Sequence, residues 1–301
     1  MTALPPHIHT LTGNLLAERT LEFAAWAPGK TQRATRESFQ VGGKGINIAK
    51  MLNRFGLANT AICFTGRAPG AECKAWMRLH GIAFKAFSTS TPTRSGTVVR
   101  VAGQPETTFL GPDAAPHPGA LRACAEHLDA QPDGGILAVC GSLPGWNTTD
   151  YDPLRAAFDR WLTHGVLVAD TYGPPLAWFA ARPLPLVKIN AVELRTLFDS
   201  SNSTGATLAS AGATFPVRRW VVSDGPHAIW FRDESGPPAS LTPPPIREIS
   251  PTGSGDILHA SLIKSLFIDG LTLPDAVARA IPLAAANAAH PGIAEFPLVV
   301  S

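Results

Sequence analysis

Closely paired cysteine is missing from this chain. Cys63, Cys73, Cys124 and Cys140 form no C-x-x-C unit, which excludes a zinc knuckle and a thioredoxin-like redox site. Each stands in an apolar or helix-like context, where a free thiol acts as a small core residue, so a reducing compartment is expected. Charge of one sign is lacking too. Lys plus Arg number 25 and Asp plus Glu number 23, a net charge of +2, with no dense basic run. That balance argues against nucleic acid or a membrane surface as partner. No apolar run approaches a membrane span, and no basic segment followed by an apolar stretch marks a signal peptide. The expectation is a cytoplasmic protein. Several catalytic signatures are also missing. There is no H-E-x-x-H among the nine histidines, no G-x-S-x-G, and no G-x-x-x-x-G-K-[ST] P-loop. No G-x-G-x-x-G follows an early strand, which argues against a Rossmann dehydrogenase.

What is present is a chain of 301 residues that is 45% hydrophobic, enough for a large buried core. The 28 prolines and 27 glycines are spread between periodic segments, as in many short loops. From about Gly134 onward short apolar runs alternate with helical patterns. Gly135 to Cys140, Val166 to Ala169, Leu186 to Ile189 and Trp220 to Val222 read as strands. Tyr151 to His164 reads as a helix, and Ala228 to Phe231 as a hairpin partner. This alternation predicts a doubly wound parallel α/β sheet, whose ligands bind beyond the carboxyl ends of the strands. Thr10 to Gln40 and Phe84 to Leu110 differ: their Thr- and Val-rich alternation predicts antiparallel strands. Between them Gly45 to Phe55 reads as a helix stopped by Gly56. The expectation is one domain, 1–301, with a small β-sheet lid formed by strands at about 12–40 and 84–112.

Pro251-Thr252-Gly253-Ser254-Gly255-Asp256 opens an apolar helical pattern that runs from Ile257 to Phe267. Glycines let backbone N–H groups converge on one space, and a helix start adds partial positive charge there. A transferring phosphoryl group needs such donors, and Asp256 suits the proton of an attacking hydroxyl. The same residues also suit a plain strand-to-helix turn. Gly42-Gly43-Lys44-Gly45-Ile46-Asn47 opens the earlier helix with a cation and an amide, or is a flexible turn. Asn190-Ala191-Val192-Glu193 is a capping box, and it also places an amide and a carboxylate where Mg²⁺–phosphate would sit. Ser142, in Gly141-Ser142-Leu143-Pro144-Gly145, follows a strand in a sharp turn. Arg94 and Arg100 lie in the lid stretch, where arginine's planar fork suits phosphate. Among the histidines only His259, on the helix after Asp256, stands out.

Together, and in this order, these motifs resemble the ribokinase/PfkB sugar-kinase family over about Thr10 to Gly292. The chain looks most similar to the branch of 1-phosphofructokinase and tagatose-6-phosphate kinase. Gly141-Ser142-Leu143-Pro144, Thr93-Arg94 and Glu18-Arg19-Thr20-Leu21-Glu22 carry that narrower likeness. The resemblance implies a Rossmann-like (ribokinase-like) sheet with a lid, and ATP and Mg²⁺ as cofactors. It implies Asp256 as general base and Gly253, Ser254 and Gly255 as the anion hole. Asn190 and Glu193 would organise the magnesium. Glu18, Gly42, Gly43, Lys44, Asn47 and Ser142 would face the sugar, and Arg94 would hold a phosphate already on it. Lys188, Asn190, Ser223, Gly225 and Asn287 would face the nucleotide. A homodimer through the lid is implied as well.

The chain departs from the branch at Glu18, where aspartate is usual, at Ile189 for proline, and at Pro251 for a residue with an N–H. The base and the glycines remain. The expected activity is an ATP-dependent transfer of the γ-phosphoryl group to a hydroxyl of a sugar phosphate. The alternatives are a kinase of an unphosphorylated sugar or nucleoside, and a catalytically idle sugar-phosphate-binding protein.

Overall fold

A computed structural model describes residues 5–198 and 202–298; the remainder of the 1–301 single-domain reading lies outside the described residues. The chain runs through β1 (Ile8–Thr12), β2 (Leu16–Phe23), β3 (Arg36–Gly42), α1 (Lys44–Arg54), β4 (Asn59–Thr65), α2 (Arg67–Leu79), β5 (Phe84–Ser88), β6 (Arg94–Val101) and β7 (Thr107–Leu110). Then come α3 (Pro118–Asp129), β8 (Ile136–Gly141), α4 (Asp152–His164), β9 (Val166–Thr171), α5 (Pro174–Ala180), β10 (Leu186–Asn190), α6 (Ala191–Arg195), α7 (Thr204–Thr214) and β11 (Trp220–Asp224). The chain closes with β12 (Ala228–Arg232), β13 (Ala239–Leu241), α8 (Ser254–Ile263) and α9 (Leu273–Ala288).

The large sheet has the order β13-β12-β11-β10-β9-β8-β1-β4-β5. From β1 the chain winds outward through β4 to β5, then returns to β8 and winds the other way to β11. The winding therefore reverses between β1 and β8, which pair in parallel with Thr12 opposite Cys140. A crevice opens beyond the carboxyl ends of strands at such a reversal. Alternation along the buried strands serves both helix layers. In β8, Leu137 and Val139 pack with Leu121, Phe158 and Trp161 on one side. Ile136, Ala138 and Cys140 pack with Ile48, Met51 and Ile257 on the other. Each fully buried side chain of this size contributes roughly 1.5–3 kcal/mol.

The second sheet has the order β3-β2-β6-β7. It differs from the expected lid in two ways. β1 and β5 belong to the large sheet, so the early alternating stretches are shared between the two sheets. β5 follows β4 and α2 and pairs with β4 in parallel, and edge-strand alternation looks like lid alternation. The pairing is also mixed, since β2 runs parallel to β6 with Leu16 opposite Arg94 and Glu18 opposite Gly96. The lid is rooted by Leu15, Ala17 and Val41, which pack on Ile46 and Ala49 of α1 and on Cys73 and Met77 of α2. All four cysteines are free and buried. Among the described residues no helix is long and apolar enough to cross a membrane.

Candidate active site

A cavity of about 240 Å³ sits at the winding reversal, between the strand ends and the small sheet. Nine of the residues singled out from the sequence line it: Glu18, Gly42, Gly43, Lys44, Asn47, Arg94, Ser142, Gly253 and Asp256. They come from β2, β3, α1, β6, the turn after β8, and the start of α8.

The turn into α8 aims the carboxylate. Gly253 has φ +80°, and a Cβ there would lie 2.5 Å from Ile293 Cγ2, so both conformation and space require glycine. Gly255 packs as closely, with a Cβ position 2.6 Å from Lys188 Nζ. Ser254 N donates to Pro251 O at 3.2 Å, whereas the amides of Gly253 and Gly255 make no backbone hydrogen bond among the described residues. Asn287 stabilises this loop through Nδ2, which donates to Thr252 O at 3.0 Å and to Ser254 Oγ at 3.2 Å. Its Oδ1 accepts from Ala294 N, so its side chain faces the loop itself. That differs from the direct nucleotide contact the resemblance implies.

Asp256 is buried, and its Oδ2 accepts from Asn47 Nδ2 at 2.7 Å. Burial first, and then the charge of Asp170, push its pKa up to about 6, against the pull of Lys44, Lys188 and the Asn47 bond. Asn47 Oδ1 is buried without a partner, leaving an acceptor at the cavity wall.

Asp170, at the carboxyl end of β9, is the residue that sequence reasoning passed over. It is fully buried, with Oδ1 2.6 Å from Lys44 Nζ and Oδ2 3.0 Å from Lys188 Nζ. Burial alone would raise its pKa, but Lys188, Lys44 and His259 together hold it below the usual carboxylate range. Lys44 also reaches Glu193 Oε1 at 3.3 Å. Lys44 and Lys188 are thus members of one ion network rather than free cations. His259 is buried with its Nδ1 3.7 Å from Asp170, and burial lowers its pKa to about 4, so it is neutral. The one available signal was position: an acid ending a predicted strand in a doubly wound sheet.

Asn190 and Glu193 form the capping box in full. Asn190 Oδ1 accepts from Glu193 N, and Glu193 Oε2 accepts from Asn190 N, each at 2.8 Å. Ser223 and Gly225 lie at and just past the end of β11, the strand next to β10. Lys188, Asn190, Glu193, Ser223, Gly225 and Asn287 lie outside the cavity lining.

On the lid side, Arg94 is only 11% exposed and its Nη1 lies 3.1 Å from Asp113 Oδ1. Asn14 Nδ2 donates to that same oxygen at 2.8 Å and to Ser142 Oγ at 3.1 Å. Glu18 is buried and accepts a hydrogen bond from Gln40 Nε2; burial and then Glu106 raise its pKa against the Gln40 bond. The β6–β7 turn touches the opposite wall. Glu106 accepts from Thr252 Oγ1 at 3.3 Å and pairs with Arg100 at 2.7 Å, while Arg100 Nη2 reaches Pro291 O at 2.9 Å.

Known proteins are similar to this chain in sequence and fold. A family profile described as pfkB family carbohydrate kinase matches residues 13–298. The 1-phosphofructokinase of Rhodobacter capsulatus is 31% identical over 287 residues, covering 89% of this chain and 86% of the relative. The ATP-dependent 6-phosphofructokinase isozyme 2 of Escherichia coli (strain K12) is 28% identical over 271 residues, covering 86% of this chain and 85% of the relative. The crystal structure of phosphofructokinase-2 from Escherichia coli in complex with fructose-6-phosphate superimposes with a TM-score of 0.84 at 24% identity, covering 93% of each chain. With the family's profile spanning nearly the whole chain, this protein belongs to the pfkB family of carbohydrate kinases.

Proposed function

We propose that the chain transfers the γ-phosphoryl group of ATP to a hydroxyl of a sugar that already carries a phosphate. One observation carries this reading. A buried carboxylate, Asp256, opens on the same cavity as the largely buried side chain of Arg94, with the glycine turn of α8 beside the carboxylate. A sugar phosphate held by Arg94, Asn14 and Ser142 at one end would present a hydroxyl to Asp256 at the other.

The step follows from the geometry. Asp256 Oδ2 is committed to Asn47, so Oδ1 is the oxygen that takes the hydroxyl proton as the alkoxide attacks. A base with a pKa raised to about 6 is ionised at neutral pH, yet basic enough to accept that proton. The amides of Gly253 and Gly255, at the positive end of α8, hold the charge of the transferring group. Lys44 and Lys188 add positive potential behind it, tempered by Asp170. Glu18, Gly42, Gly43 and Asn47 would line the sugar. The nucleotide would lie toward Lys188, Asn190, Ser223 and Gly225. The small sheet, tied down through Glu106 and Arg100, excludes water from the transfer.

The residues fit magnesium of one kind. Among the described residues no cluster of three or more acids, histidines or cysteines could hold a metal alone. Glu193, at a strand end with Asn190, suits an ion that keeps its waters and phosphate oxygens. Glu193 and Asn190 would hold those waters. When bound, the ion supplies neutralisation of the nucleotide's phosphate charge.

The test is ADP release from the purified protein across hexose and pentose phosphates and the matching free sugars. The expected result is turnover with a phosphorylated sugar. Arg94→Ala should raise KM for that sugar roughly 10- to 100-fold, the worth of a charge-assisted contact, and leave the free sugar little changed. Preference for unphosphorylated sugars, or equal effects of Arg94→Ala on both, would overturn the reading.

A further inference from the structure

Asp113 stands on the loop between β7 and α3, and one of its oxygens receives two donors, one buried and one largely so. Asn14 Nδ2 lies 2.8 Å and Arg94 Nη1 3.1 Å from Asp113 Oδ1. Asn14 is 4% exposed and the Arg94 side chain 11%, whereas the Asp113 side chain is 60% exposed. Two preset donors, one before β2 and one on β6, thus converge on a carboxylate that itself reaches solvent. The loop is also held away from the Asp113 carboxylate: Ala114 N donates to Asn14 Oδ1 at 3.5 Å. Gly111 N already donates to Ser95 O at 2.8 Å and His117 N to Thr89 Oγ1 at 2.8 Å, which fixes both ends.

A carboxylate and a phosphate ask the same thing of an arginine and an amide: donors for anionic oxygen. Both anions cannot keep these donors at once, because like charges so close repel. We propose that Asp113 is a specificity-determining residue, an internal carboxylate that competes with the substrate's phosphate for Arg94 and Asn14. This rests on the reading of Arg94 as the phosphate seat. The magnitudes favour displacement. A pair with one exposed partner is worth about fivefold at most, while phosphate on arginine is worth about 10- to 100-fold. A substrate phosphate wins, but by a reduced margin. A neutral sugar cannot drive the exchange, so Arg94 stays paired and contributes nothing to it. Asp113 thus sets how wide the margin is by which the site prefers a phosphorylated sugar to a free one, and narrows it.

The test compares Asp113→Ala and Asp113→Asn with the wild-type chain, alongside Arg94→Ala. Asp133→Ala is the control, an 88% exposed acid before β8 at the opposite end of the strands. The probes are fructose 6-phosphate, fructose 1-phosphate, fructose and inorganic phosphate, with thermal melts to show that each variant folds. Both Asp113 variants should lower KM for the phosphorylated sugar and Ki for inorganic phosphate about two- to fivefold. KM for ATP and for fructose should not move, and Asp133→Ala should change nothing. An unchanged or raised KM for the sugar phosphate in both Asp113 variants, with Arg94→Ala still selective, overturns the proposal and spares the phosphate seat. If Arg94→Ala shows no selectivity, the phosphate seat fails and this proposal with it.

Discussion

The carboxylate of Asp256 is held where a carboxylate is uncomfortable. Burial and the neighbouring Asp170 raise its pKa to about 6, so its charge costs the folded chain stability even though it is ionised at neutral pH. Asp256→Asn should therefore separate function from stability. Turnover should fall by about 10²- to 10⁴-fold, the usual contribution of a positioned base. The melting temperature should hold or rise by a few degrees, because a buried charge facing Asp170 has gone while the amide can still accept from Asn47. Differential scanning fluorimetry beside an ADP-release assay measures both, and near-normal kcat in this variant would dismiss Asp256 as the base. The wild-type kcat/KM should fall on the acid side with a midpoint near pH 6, as protonation removes the base. Asp256 was legible in the sequence because its glycines and helix start are contiguous. Asp170 was not, since its partners Lys44 and Lys188 lie on α1 and β10 and meet it only across the sheet.

The β6–β7 hairpin reaches over the cavity and ends on the loop that introduces α8. Glu106 is the joint, bonded to Thr252 on one side and Arg100 on the other, with Arg100 also on Pro291 O. These contacts couple the position of the small sheet to the glycine turn that opens α8. Glu106→Ala should weaken that coupling without touching the reacting atoms. The expected outcome is a drop in kcat/KM for the sugar of about 3- to 10-fold and a rise in ATP hydrolysis without sugar, as a lid that closes less firmly admits water. Unchanged hydrolysis and unchanged kcat/KM would show that the hairpin contact is incidental. The pattern of alternating residues announced these strands, but it could not divide them between two sheets. β5 and β6 carry similar alternation, and only pairing with β4 or with β2 separates them.

Acid should unfold this protein through its histidines. His9 and His259 are buried with pKa values lowered from 6.5 to about 4, His9 by burial and then by His7 and His127. A histidine whose folded pKa is depressed contributes stability that is full above pH 6.5 and is lost as pH falls toward 4. Asp256 acts with the opposite sign between pH 3.8 and about 6, since its folded pKa is raised. His7 and His127, lowered by burial as well, act with His9 and His259, while Glu18, raised by burial, acts with Asp256; the histidines outnumber the acids, so stability falls as pH drops from 6.5 toward 4. Urea unfolding at several pH values measures this, and a flat profile over that window would contradict it. His9→Phe should blunt the loss.

The local record was enough for the helix starts, the β-then-α order and the glycine turn, because caps, glycines and apolar periods act within a few residues of themselves. From those the doubly wound sheet and the site's position beyond the strand ends followed. Tertiary structure alone decided which charges meet. It set Asp170 between two lysines, gave Asn47 to Asp256, turned Asn287 onto the loop it supports, and laid Asp113 on Arg94. Such contacts join residues tens to hundreds of positions apart. Their energies depend on burial and distance, which no local pattern encodes.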